Sequence, residues 1–140
     1  MRTHRIIASL LLGLTAVCGN AFAQATYSLV GEWRGIVHSD GVNLAFDITY
    51  YPNNTVVQSM AVPPNQNGTG SGIIYTRGTY HMIGPNFVEW NVTETKSCEG
   101  LTMNNCFPAP GLPVQRYSYR FEGPNRAINT VDGTVLNRVQ

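Results

Sequence analysis

A chain of 140 residues with nine Lys plus Arg against eight Asp plus Glu carries a formal net charge of only +1, too little for the electrostatic footprint of a nucleic-acid or anionic-membrane binder. Charged residues make up 12% of it, about half the usual share in soluble proteins. Asn, Thr, Tyr and Gly take over the polar work, a mixture suited to strands and turns, and the length holds one domain with its own core and no second one.

Met1-Arg2-Thr3-His4-Arg5 opens the chain, an apolar stretch runs from Ile6 to Val17, and Ala21-Phe22-Ala23 follows. A positive start, a short apolar run and an Ala-x-Ala site together form an export signal. The run is too short for a spanning helix, which needs about 20 residues. Residues 1–23 are therefore read as a cleaved signal peptide and 24–140 as a single domain, destined for the periplasm or the cell exterior. Loss of Arg2 and Arg5 leaves that domain nearly neutral. Cys18 offers lipidation as an alternative, but Leu14-Thr15-Ala16-Val17 places no small residue directly before it.

Beyond the signal, segments alternate apolar and polar with period two and stop at Gly, Pro, Asn or Asp, the pattern of strands. The first runs from Gly31 to His38 and ends at Ser39-Asp40-Gly41, a hairpin signal. The second, Val42 to Tyr51, sets Leu44, Phe46, Ile48 and Tyr50 on one face. Pro52-Asn53-Asn54 leads into a third, Thr55 to Val62, and the glycine-rich stretch 65–72 reads as a loop. A fourth strand spans Ile73 to Ile83 and a fifth Phe87 to Glu94.

Residues 95–113 interrupt the series, and their prolines argue against regular pairing. Cys98 and Cys106 lie within this stretch. In an oxidising compartment they are expected to form a disulfide; the alternative, a metal pair, would leave zinc short of its four ligands. So long an insertion among tight turns is functional or disordered. Leu101, Met103, Phe107 and Leu112 have no strand to join; they fold as a lid over a barrel mouth, stand out as an apolar contact for another protein, or belong to a loop merely stapled against proteolysis. Three strands close the chain, Val114 to Glu122, Arg126 to Val131 and Thr134 to Val139.

Eight short strands joined mostly by tight turns form an antiparallel meander, which must fold over or close to cover its apolar face and its edges. The expected fold is all-β, an eight-stranded antiparallel up-and-down β-barrel, with a β-sandwich as the alternative. Such a barrel is just wide enough to be filled by side chains or to hold one small ligand.

Gly31-Glu32-Trp33 on the first strand, together with Arg138 on the last, resembles the signature of the calycin superfamily, and lipocalin-like exported proteins in particular. A second motif of the Thr-Asp-Tyr kind is not found between strands six and seven. The resemblance implies that Trp33 packs at a closed barrel end with Arg138 lying across it, both as structural residues.

With Trp33 inward, alternation places Val37, Phe46, Ile48, Tyr50, Val56, Gln58, Met60, Thr76, Tyr80, Met82, Val88, Trp90, Val92, Tyr117, Tyr119, Phe121 and Leu136 inside. Aromatic walls with a few hydroxyls and an amide suit a small-molecule cavity, and equally a solid core whose tyrosines reach the rim. Phe46, Tyr50, Gln58, Tyr80, Trp90, Tyr117 and Tyr119 are the candidate ligand-binding residues. His38-Ser39-Asp40 sits in one turn, where side chains cannot converge as nucleophile, base and orienter. Glu32, Glu89 and Glu94 fit exposed strand positions better than a carboxylate pair. His81 and His38 supply at most two metal ligands, and no spacing resembles a zinc or calcium site. The Asn-x-Thr sequons at Asn53, Asn67 and Asn91 matter only in a eukaryotic secretory pathway.

No cofactor, metal or catalytic group is expected. The leading expectation is a non-catalytic binder of a small apolar or aromatic ligand. The alternative is a protein-binding barrel, such as a protease or lysozyme inhibitor, that acts through the 95–113 loop.

Overall fold

The computed structural model describes residues 27–64 and 70–140. The expected signal peptide at 1–23, with Cys18, and the sequon at Asn67 lie outside the described residues. Among the described residues there are nine strands: β1 (Gly31–Ser39), β2 (Val42–Tyr50), β3 (Thr55–Val62), β4 (Gly72–Gly84), β5 (Phe87–Glu99), β6 (Cys106–Pro108), β7 (Val114–Phe121), β8 (Arg126–Asn129) and β9 (Val135–Arg138). Every pairing is antiparallel. The sheet runs β4-β3-β2-β1-β9-β8-β7-β5-β6, and β4 also pairs with β5. That last pairing closes eight strands into a barrel and leaves β6 as an extra strand on the outer part of β5.

The extra strand corrects the expectation for 95–113. β5 does not stop at Glu94 but continues to Glu99, and Cys106–Pro108 pairs back onto it with Pro108 opposite Lys96. The proline is tolerated because β6 is a three-residue edge strand, where a missing N–H breaks no further ladder. β8 ends at Asn129 rather than Val131, since the Asn129 carbonyl accepts Gly133 N–H and turns the chain.

A β-bulge decides which way β5 faces. Arg77 pairs with Glu94 and Gly78 with Val92, so Thr93 is an unmatched residue. An inserted residue reverses the in–out alternation beyond it. Glu94 therefore leaves the inner face and pairs with Lys96 at 2.6 Å. Gly78 permits this close approach: a Cβ there would overlap the Asn91 carbonyl. A second irregularity between Met82 and Gly84 falls where the wall runs out. Met82, expected inside, is 48% exposed there.

The barrel is shut at the end bearing the turns after β2, β4 and β7. Trp33 is fully buried and its Nε1–H donates to the Leu29 carbonyl at 2.7 Å. The Arg138 guanidinium lies 4.2 Å from the Trp33 ring centroid. It donates to the carbonyls of Ser28 (2.7 Å), Val30 (2.5 Å) and Pro124 (3.0 Å). One cation thus pins the segment entering β1 and the β7–β8 turn across the base, using the π face as its fourth contact. Above this plug lies a core of Ile48, Tyr50, Val56, Val88, Trp90, Ala127 and Leu136.

Candidate functional site

Toward the other end the walls part and leave a cavity of about 370 Å³, within the usual range of small-molecule sites. Phe46, Ile48, Met60 and Leu136 supply its apolar surface, and Gln58, Thr76, Thr95, Gln115 and Asn129 its polar groups. Tyr117 and Tyr119 give it both a ring and a hydroxyl. Their rings stack with centroids 6.3 Å apart and planes 14° from parallel.

Beneath the cavity the aromatic residues lock together. Trp90 Nε1–H donates to the Tyr50 hydroxyl at 3.2 Å, and that hydroxyl lies 3.2 Å from the one on Tyr119. Tyr50 meets Tyr80 and Trp90 edge-on, at centroid distances of 4.9 and 5.8 Å. Tyr117 O–H donates to Gln115 Oε1 at 2.5 Å. Burial pushes the Tyr50 and Tyr119 hydroxyls well above the ordinary tyrosine range, and it raises Tyr117 to about 12. The floor is thus built of neutral phenols that give hydrogen bonds and carry no charge at neutral pH.

Four of the seven candidate residues, Phe46, Gln58, Tyr117 and Tyr119, line the cavity. Tyr50 and Trp90 form its packed floor and do not line it. Tyr80 lies further down, where its hydroxyl donates to the Tyr51 carbonyl at 2.9 Å. Hollow and filled readings each describe one half of the barrel.

Several lining residues were not among the candidates. Thr95 enters through the bulge. Asn129 and Asp132 flank the β8–β9 turn, and Pro110 and Gly111 come from the chain returning between β6 and β7. For Thr95 the signal was Gly78 opposite a long strand, a mark of close backbone approach. The turn and loop residues had no periodic signal.

The expected disulfide joins Cys98 to Cys106 across the β5–β6 ladder. Asn105 Nδ2–H to Glu99 Oε2 (2.7 Å) and Glu99 N–H to the Asn105 carbonyl (2.9 Å) reinforce it. This segment is divided in its relation to the barrel. Pro110 and Gly111 reach the cavity rim, while Leu101, Met103, Phe107 and Leu112 stand out at 69, 45, 54 and 68% exposure.

The titratable groups elsewhere do not converge. His38 Nδ1 contacts Asn43 Oδ1 on the neighbouring strand. Glu89 pairs with Arg116 at 2.7 Å and lies 3.5 Å from His81. Among the described residues no three of His, Cys, Asp and Glu gather as metal ligands, and no helix is long and apolar enough to cross a membrane.

Compared with protein-family models and with curated proteins, the chain matches none.

Proposed function

We propose that this protein is an exported, non-catalytic binding barrel for a small apolar or aromatic ligand. The observation that carries the reading is the cavity itself: apolar walls, a few polar groups and a packed aromatic floor. Trp33 under the Arg138 guanidinium supports a calycin-type, lipocalin-like barrel. The disulfide and the signal-like first residues support a periplasmic or secreted location.

The test is titration with the neutral fluorescent probe N-phenyl-1-naphthylamine. Trp90 lies 4.8 Å from Tyr117, a wall residue, so a bound aromatic quenches its emission. Gln58→Trp, which grows an indole into empty space, is expected to weaken the probe at least about tenfold while the circular dichroism stays unchanged. Equal affinity in the variant would place the probe elsewhere and remove the support for this reading.

A second reading, a protein-binding barrel, has one observation of its own: exposed Leu101 and Met103 on a crosslinked tip, with exposed Phe107 and Leu112 following it in the chain. It predicts that Cys98→Ser with Cys106→Ser abolishes partner capture while the barrel stays folded. Stability should fall by no more than about 2.5 kcal/mol, the entropy released by opening so short a loop. Urea unfolding and a protease or lysozyme inhibition assay check the two parts.

A further inference from the structure

Among its described lining residues the cavity carries one carboxylate and no cationic side chain. That carboxylate belongs to Asp132. It sits at the mouth on the β8–β9 turn, its Oδ1 accepting the Thr134 N–H at 2.8 Å. Asp132 takes part in no ion pair among the described residues.

The surroundings favour positive charge as well. Phe46, Tyr117 and Tyr119 line the same space with π systems, whose negative faces attract cations. Tyr117 has committed its proton to Gln115 Oε1. Its oxygen therefore faces a ligand as an acceptor. A fatty-acid-like carboxylate would meet Asp132 on entry and find no Arg, Lys or His among the described cavity lining, since Arg34 and His38 border Asp132 only in the outer groove and are engaged by Asp47 and Asn43; an ammonium group would meet a carboxylate and aromatic rings.

We propose that the ligand is an organic cation with an aromatic or apolar body, its ammonium group held beside Asp132 and its body against Phe46, Met60 and Leu136. This rests on the cavity being the binding site, and it adds the ligand's charge. Because Asp132 is exposed to solvent, the preference is modest, a discrimination between charges and not a source of high affinity.

The experiment uses three compounds of one shape, phenylpropylamine, phenylpropanol and phenylpropanoate, displacing N-phenyl-1-naphthylamine from the processed full-length protein at neutral pH. The amine is expected to displace the probe about threefold better than the alcohol and at least about tenfold better than the carboxylate. Asp132→Asn keeps the acceptor for Thr134 N–H and is expected to bring the amine down to the level of the alcohol, each referred to the probe's affinity in that variant. If the probe binds but the carboxylate competes as well as the amine, or the preference survives Asp132→Asn, the charge assignment is overturned and the cavity reading stands. If the probe fails to bind, both fall.

Discussion

Replacement of Trp33 by alanine is expected to lower the free energy of unfolding by about 3–5 kcal/mol, the range for removing a large aromatic from a closed core. The indole is fully buried at the shut end of the barrel and packs against Phe121 with ring centroids 6.0 Å apart. Three losses coincide. A void opens under the plug, the Leu29 carbonyl loses its 2.7 Å donor, and Arg138 loses the face on which it rests. Arg138 is what ties Ser28, Val30 and Pro124 together, so the entering segment should loosen with it. Urea unfolding followed by circular dichroism measures the effect, and Trp33→Phe should recover part of it by refilling space without restoring the N–H donor. A cost below about 1 kcal/mol, the level of most surface changes, would mean that this end is not held by the tryptophan.

Alkali is expected to destabilise the barrel steeply between about pH 10 and pH 12. Burial, more than contact between the hydroxyls, raises Tyr50 and Tyr119 far above ordinary tyrosine and Tyr117 to about 12. Below the unfolded value of about 10, folded and unfolded chains alike keep these protons, and stability is undiminished. Above it the unfolded chain releases protons that the fold retains, so stability falls with rising pH. Each retained proton contributes about 1.4 kcal/mol per pH unit. Three of them together give a slope near 4 kcal/mol per unit, about 8 kcal/mol over the two units before Tyr117 also titrates, comparable to the whole stability of an ordinary domain. Urea melts at stepped pH should show this slope, and Tyr50→Phe should reduce it by one proton while costing about 1 kcal/mol at neutral pH for the lost Trp90 and Tyr119 hydrogen bonds. A flat profile up to pH 12 would show that water reaches the floor hydroxyls.

The candidate residues show why part of this site was readable and part was not. Phe46, Gln58, Tyr117 and Tyr119 line the cavity because period-two alternation sets the facing of every residue on an unbroken strand. Tyr50, Tyr80 and Trp90 share that facing and yet lie below the cavity, since alternation says which side a residue faces and nothing about height along the barrel. Thr95 was hidden by a one-residue bulge that local sequence marks only faintly. Asp132 was hidden in a turn, where no period sets direction.

Local chemistry alone therefore located eight of the nine described strands, the inner faces of those without a bulge and the cysteine pair, because each depends on residues near one another in the chain or on a count of two. Closure through β4–β5, the addition of β6, and the division of the interior into a packed floor and an open chamber were settled by the assembled barrel. An empty volume is the space that facing walls fail to fill. Residues as distant as Phe46 and Asp132 supply those walls, so no segment read by itself contains it.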